Sequence, residues 1–122
     1  MDTILVVDDE AEMTDLIALF LAEDDLDVLT AGDGQEALTI ALREHPQLVL
    51  TDVMMPRMGG VELCRRLQED PGTRDTVVLL MTAAGQFEMG EWGAAGLLRK
   101  PFDMGRLSEI VHRHLSAPPL SV

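Results

Sequence analysis

Three aspartates follow short apolar runs in this sequence, where they could hold a cation between them. Asp52 closes the run that begins at Leu48 and precedes a loop rich in Pro and Gly, and Asp8 and Asp9 follow the β-branched run Thr3–Val7. Carboxylates in contact repel one another by about 4 kcal/mol per pair at an effective dielectric constant of about 20. A hard divalent cation would neutralise them, and Mg²⁺ favours a few carboxylates together with a phosphate oxygen.

A threonine and a lysine follow two later apolar runs. Thr82 follows residues 76–81, and Lys100 follows Gly96–Arg99. An ammonium group neutralises phosphoryl oxygens, a hydroxyl donates to one of them, and a carboxylate can act as the nucleophile that forms an aspartyl-phosphate. If the fold brings all five side chains together, the chemistry they predict is Mg²⁺-dependent phosphoryl transfer to Asp52. Taken singly, each is equally typical of an ordinary turn.

The elements that must position these residues alternate between apolar runs and helical patterns, which predicts an α/β fold. Strands are predicted at residues 3–7, 27–31, 48–51, 76–81 and 96–99. Helices are predicted at 11–23, from 34 to before 46, from 61 to the turn at 70–72, and from about 103 to 115. Residues 83–95 contain three glycines, each of which costs a helix interior about 1 kcal/mol relative to alanine, so any fourth helix here is short or irregular.

The expected architecture is a doubly wound, flavodoxin-like parallel sheet of five strands in the order 2-1-3-4-5, with helices on both faces. Ligands bind such sheets outside the carboxyl ends of the strands, where the strand order reverses. The predicted site residues should therefore line one crevice: Asp8, Asp9, Asp52, Thr82 and Lys100. This convergence favours a functional site over five unrelated turn residues.

Helix faces and one cap can also be predicted. Asp33 is the expected N-cap of the second helix, with Glu36 three residues later. Cys64, the only cysteine, is expected to be a small buried hydrophobe. The packed faces are predicted to be Met13, Leu16, Ile17, Phe20 and Leu21 on the first helix, and Ala37, Leu38, Ala41 and Leu42 on the second.

Composition limits the classes of partner. The 122 residues are one domain's worth, and 22 acidic against 9 basic residues give a formal charge of -13, which repels phosphate backbones and acidic membrane surfaces. We expect no direct binding of nucleic acid and no association with a membrane. No apolar run approaches the roughly 20 residues of a membrane span, and the start of the chain lacks the basic region of a signal peptide, so a cytoplasmic location is expected.

The sequence contains four motifs: VVDDE at residues 6–10, TDVMMPRMGG at 51–60, Thr82-Ala83, and GAAGLLRKPF at 93–102. Together they resemble the chemotaxis-type receiver domain of bacterial two-component response regulators. The resemblance covers residues 4–115. It implies a receiver domain over residues 1–116, followed by a tail or the start of a linker at 117–122.

The resemblance also implies roles for the site residues. Asp52 would accept a phosphoryl group from a sensor histidine kinase or a histidine phosphotransfer protein. Asp8 and Asp9 would help Asp52 to hold Mg²⁺, and the backbone carbonyl of Met54 would be the remaining protein ligand.

Two residues would act on the phosphoryl group in such a domain. Thr82 would be the switch hydroxyl and Lys100 the phosphate-binding lysine, with the Lys100–Pro101 peptide in the cis form. The domain would be a signalling module that catalyses only its own phosphorylation and dephosphorylation, and its switch would change the binding of an output partner that the sequence does not identify. A homodimer is a further possibility that the sequence neither favours nor excludes.

The sequence departs from the family pattern in two places. Leu97 stands where the family usually has a tyrosine or phenylalanine that turns inward when the threonine engages phosphate. The segment between Thr82 and Lys100 is about one helical turn shorter than usual, which predicts a remodelled, mobile output face at residues 86–92. Trp92 is expected either to pack in this region or to contact a partner.

Three other interpretations are weighed against a phosphorylated receiver. The first is a degenerate receiver that works as a phosphorylation-independent interaction module. The second is a Mg²⁺-dependent phosphatase with an aspartyl nucleophile, but the haloacid-dehalogenase-like family has a second aspartate where Met54 stands here. The third is a flavin-binding module, which the acidic Asp8 and Asp9 disfavour because they would repel a phosphate.

Overall fold

The central element of the fold is a parallel sheet of five strands. The computed structural model describes residues 2–83 and 94–116. Its strands are β1 (Thr3–Val7), β2 (Asp27–Ala31), β3 (Leu48–Asp52), β4 (Val77–Thr82) and β5 (Gly96–Arg99). They pair in the order β2-β1-β3-β4-β5. The predicted sheet and its strand order are confirmed.

Helices cover both faces of this sheet. The described helices are α1 (Ala11–Ala22), α2 (Gly34–Glu44), α3 (Gly60–Glu69) and α4 (Met104–Ser116). None of these helices has both the length and the apolar character that a bilayer span requires. The predicted short fourth helix and output face, Trp92, and the tail at 117–122 lie outside the described residues.

Alternating strand residues supply two separate apolar cores, one on each face. On β1, Ile4 and Val6 join the core under α1 and α4, whereas Leu5 and Val7 join the core under α2 and α3. Successive side chains of a strand point to opposite faces, so a strand covered on both faces must be apolar throughout. This burial on both sides makes the strand ends rigid supports for any polar group that follows them.

Two leucines are exposed where the helical spacing predicted burial. Leu16 is 51% exposed and Leu42 is 39% exposed. In α1 the fully buried face is centred on Ile17 and Leu21, together with Thr14. Since 3.6 residues make one turn, Leu16 lies at the edge of that face and faces solvent. The sequence prediction was therefore wrong for these two side chains.

The predicted start of α2 is confirmed. The carboxylate of Asp33 accepts a hydrogen bond from the backbone N–H of Glu36 at 2.9 Å. The carboxylate of Glu36 in turn accepts from the backbone N–H of Gly32 at 2.6 Å. These bonds satisfy donors that a helix start otherwise leaves without partners. Cys64 is fully buried, as expected, and burial raises the pKa of its thiol.

Candidate functional site

The register of the sheet brings the three aspartates together. Val7 of β1 pairs with Thr51 of β3, so the residues that follow them, Asp8 and Asp52, lie side by side at the carboxyl edge of the sheet. Asp8 is 1% exposed and Asp52 is 9% exposed, while Asp9 faces solvent. One carboxylate oxygen from each of the three lies within 4.8 Å of the others. The predicted acidic cluster is therefore present.

Lys100 reaches into this cluster from the end of the edge strand β5, with β4 in between. Its ammonium nitrogen donates to Asp8 Oδ2 at 2.8 Å and lies 3.6 Å from Asp52 Oδ1. The backbone N–H of Lys100 donates to the carbonyl of Thr82 at 2.8 Å, which continues the pairing of β4 with β5 by one residue. Thr82 is 2% exposed, and the peptide between Lys100 and Pro101 is cis. Each of the five predicted site residues thus ends a strand or closely follows one. The four strands concerned are neighbours in the sheet, so all five residues lie at its carboxyl edge.

The charges at the site affect each other's ionisation. Burial raises the pKa of Asp52 above its usual value, and the charges of Asp8 and Asp9 add to this effect, although the ammonium of Lys100 opposes it. Burial acts to lower the pKa of Lys100, but its hydrogen bond to Asp8 and the charge of Asp52 outweigh burial, so the net pKa is raised. Lys100 is therefore held protonated between two carboxylates.

Backbone donors orient two of the carboxylates. The N–H of Glu10 donates to Asp8 Oδ1 at 3.0 Å, and the N–H of Val53 donates to Asp52 Oδ1 at 3.1 Å. The sequence analysis did not find these groups. Every residue other than proline carries a backbone N–H, so no residue type signals which of them will point at a carboxylate.

The donor set fits a hard divalent cation. The grouped atoms of Asp8, Asp9 and Asp52 are all oxygens, which are the ligands that Mg²⁺ prefers, and the exposure of Asp9 leaves access to water. Met54 lies in the loop two residues after Asp52, and its side chain is 73% exposed. Its side chain packs in neither core.

The loop after Asp52 turns tightly back toward the strand. The N–H of Gly60 donates to the carbonyl of Val53 at 2.9 Å. A Cβ at position 60 would overlap the carbonyl oxygen of Asp52, and one at position 59 would lie 2.8 Å from the carbonyl oxygen of Val53. The two glycines are needed here because backbone approaches backbone, which is one of the uses of glycine in proteins.

Comparison with known families identifies this arrangement. A family model described as the response regulator receiver domain matches residues 4–112. The match includes all the predicted site residues, residues 4–7 of β1 and the other four described strands in full.

Response regulators from other organisms are similar to this chain in sequence. RpaA of Synechocystis, described as a DNA-binding dual master transcriptional regulator, is 37% identical over 108 residues, which are 85% of this chain and 45% of RpaA. The response regulator PleD of Caulobacter vibrioides is 42% identical over 104 residues, which are 82% of this chain and 23% of PleD. The chain spans less than half the length of either relative.

Two solved structures superpose on this fold over nearly the whole length of both chains. The chemotaxis response regulator CheY4 of Vibrio cholerae superposes with a TM-score of 0.87 at 30% identity, covering 93% of this chain and 98% of CheY4. A receiver domain protein from Clostridium thermocellum gives a TM-score of 0.86 at 29% identity, with 94% of each chain covered. The chain belongs to the response regulator receiver domain family, whose members are signalling modules of two-component systems.

Proposed function

We propose that this domain accepts a phosphoryl group on Asp52 in a Mg²⁺-dependent reaction and that phosphorylation changes the binding of a partner. The observation that carries the proposal is the position of Lys100, whose ammonium lies between Asp8 and Asp52 within a cluster of three carboxylates. A largely buried cation, with its side chain 12% exposed, and several grouped carboxylates at strand ends suit the binding of a phosphoryl group better than they suit stability alone.

Each side chain has a distinct part in the proposed reaction. An oxygen of Asp52 attacks phosphorus, a P–O bond forms, and the bond to the donor's imidazole nitrogen or other leaving group breaks. Lys100 releases Asp8 and binds an oxygen of the transferred group, which it neutralises as a point charge. The hydroxyl of Thr82 donates a hydrogen bond to another phosphoryl oxygen.

Asp8, Asp9 and Asp52 would hold Mg²⁺ together with the backbone carbonyl of Met54. The bound ion would neutralise the carboxylates and the negative charge of the incoming group. The raised pKa of Asp52, caused first by burial, indicates that its charged form needs such compensation in the folded protein.

A sensor histidine kinase or a histidine phosphotransfer protein is the proposed donor. An apolar groove of about 510 Å³ lies directly beside Lys100 and is lined partly by Met13, Leu16 and Phe102. Leu19, one turn further along α1, is 69% exposed. An apolar groove beside Lys100, with further exposed apolar surface on α1, suits a helical partner that must bring its histidine to Asp52.

The proposed switch does not use an aromatic side chain on β5. Leu97 occupies the middle of that strand and packs, partly buried, against the core under α2 and α3. An aliphatic side chain cannot offer the hydroxyl or ring that the usual residue would move. We propose that movement of Thr82 is transmitted by packing alone to the output partner.

Intact mass tests the proposal most directly. Wild-type protein incubated with acetyl phosphate and Mg²⁺ is expected to gain one phosphoryl group, and the Asp52→Asn variant is expected to gain none. Omission of Mg²⁺ with added EDTA should reduce the gain in the wild type. The matched control is Asp75→Asn, because Asp75 is exposed and lies in the turn before β4, at the opposite edge of the sheet.

Two outcomes would contradict this function. Equal gain of mass by wild type and Asp52→Asn would show that another residue is modified. No gain by the wild type, with Mg²⁺ still bound, would favour the phosphorylation-independent interaction module, and the search would then turn to binding partners.

A further inference from the structure

An ion pair joins the loop after Asp52 to the start of α2. The guanidinium of Arg57 donates to Asp33 Oδ2 from Nε at 3.0 Å and from Nη2 at 2.5 Å. The Asp33 side chain is 9% exposed, whereas that of Arg57 is 68% exposed. An arginine that donates through two nitrogens fixes direction as well as distance, because the guanidinium is planar.

Arg57 adopts a backbone conformation that its residue type disfavours. Its φ is +66°, in the left-handed region that residues with a Cβ rarely occupy. Arg57 lies midway between Met54, whose carbonyl is a proposed Mg²⁺ ligand, and Gly60, which packs against the backbone of Asp52. Such a conformation persists only where neighbouring contacts impose it, and the pair with Asp33 is one of those contacts.

A backbone contact ties the same loop to the same helix start. The N–H of Gly34 donates to the carbonyl of Met58 at 3.1 Å, and the side chain of Met58 is buried in the core under α2 and α3. A Cβ at position 34 would overlap that carbonyl oxygen. The loop is therefore held at two successive positions, once through a side chain and once through the backbone.

Asp33 is itself held in place and charged. Its Oδ1 accepts from the N–H of Glu36 at 2.9 Å while its Oδ2 binds Arg57. The N–H of Glu36 and then the guanidinium of Arg57 lower the pKa of Asp33, so the carboxylate is ionised at neutral pH. The helix start thus acts as a fixed anchor for the loop.

We propose that Asp33 and Arg57 form a brace that positions the loop after Asp52, and with it the Met54 carbonyl, for Mg²⁺ binding. The inference rests on the proposed function, because only there is that carbonyl a ligand. Asp33 and Arg57 are positioning residues, since their contacts hold the loop and not the reacting atoms.

Magnesium affinity measured by calorimetry distinguishes this role from simple electrostatics. Replacing Arg57 by glutamine removes a positive charge near an acidic site, which by Coulomb attraction alone would tighten Mg²⁺ binding. The brace predicts the opposite sign, a weakening of about tenfold, at the low end of what loss of an outer-shell partner costs a metal site. The titration uses MgCl₂ and the unphosphorylated 122-residue chain.

A double-variant cycle tests whether the two residues act as one unit. Asp33→Asn keeps an oxygen that can cap α2 but loses the charge that binds Arg57, so it is also expected to weaken Mg²⁺ binding. The Asp33→Asn/Arg57→Gln double variant should bind no more weakly than the weaker single variant, because residues that share one interaction are not additive. Arg113→Gln is the matched control, since it removes a 2.9 Å ion pair with Glu109 on α4.

A second substitution separates loss of the brace from loss of folding. Arg57→Gly is compatible with the left-handed φ, so it should fold as well as the wild type while lacking the guanidinium. It is also expected to bind Mg²⁺ about tenfold more weakly. Thermal unfolding in EDTA checks that each variant is folded.

Failure of the brace and failure of the proposed function give different results. If the wild type binds Mg²⁺ and gains a phosphoryl group but Arg57→Gln and Arg57→Gly bind Mg²⁺ equally well or more tightly, the brace is overturned and the function stands. If the wild type binds no Mg²⁺, the proposed function and the brace are overturned together.

Discussion

Replacing Lys100 by methionine is expected to lower the free energy of unfolding in EDTA by about 2–3 kcal/mol. The ammonium lies 2.8 Å from the fully buried carboxylate of Asp8 and 3.6 Å from that of Asp52. Methionine has a similar length but no charge, so two neighbouring carboxylates would lose a shared counter-charge. Breaking a fully buried pair costs about 3–5 kcal/mol, and the lower figure here reflects the access to solvent that Asp52 and Asp9 keep.

Mg²⁺ should reverse part of this loss. A divalent cation bound by the three carboxylates would supply the missing positive charge, so the difference between Lys100→Met and wild type should shrink when Mg²⁺ replaces EDTA. Chemical denaturation in both buffers measures the two differences. Lys100→Arg is the matched variant, because it keeps the charge and should recover most of the stability in EDTA.

The composition of the chain gives a second readout for this ion pair, in a protein that keeps Lys100. Lys100 is the only lysine in the sequence, so a lysine side-chain resonance in an NMR spectrum belongs to it without further assignment. Its raised pKa should move toward the ordinary value when Asp8 is replaced by asparagine, since the Asp8 hydrogen bond is a main cause of the rise. An unchanged free energy of unfolding for Lys100→Met in EDTA would show that the pair contributes nothing to stability.

Gly60→Ala is expected to destabilise the folded protein by about 3 kcal/mol or more. A Cβ at this position would overlap the carbonyl oxygen of Asp52 and would lie 3.2 Å from the Cα of Val53. Both neighbours are backbone atoms of the strand end that carries the proposed phosphoacceptor, so a side-chain rotation cannot relieve the overlap. The same shift should move the Asp52 carboxylate and slow phosphorylation by acetyl phosphate in the molecules that remain folded.

Gly32→Ala is the control for this substitution. The nearest atom to a Cβ at position 32 is Glu36 Oε1 at 3.8 Å, which is ordinary contact, and the backbone there is not left-handed. Alanine should therefore be tolerated and could add about 0.4–1 kcal/mol by restricting the unfolded chain. Urea denaturation of both variants gives the comparison. Equal stability of Gly60→Ala and wild type would mean that the turn after Asp52 can open to admit a methyl group.

The sequence by itself determined the type and order of the described elements and which polar residues stand at the ends of their strands. The runs at β1, β2 and β5 predicted the observed bounds. In β1, residues 4–7 are buried between the two faces and are all apolar, and the strand ends where Asp8 begins. The placement of Asp8, Asp52, Thr82 and Lys100 at one edge followed from the strand order alone, since the carboxyl ends of neighbouring parallel strands meet.

Only the tertiary structure decided which atoms meet and which faces stay exposed. The ion pair between Lys100 and Asp8 spans 92 positions in the chain, and the pair between Arg57 and Asp33 depends on a left-handed turn at Arg57. Neither contact has a local sequence pattern, because both depend on how separate elements pack. Leu16 was misplaced for the same reason: helical spacing predicts an apolar face but not how widely the sheet covers it.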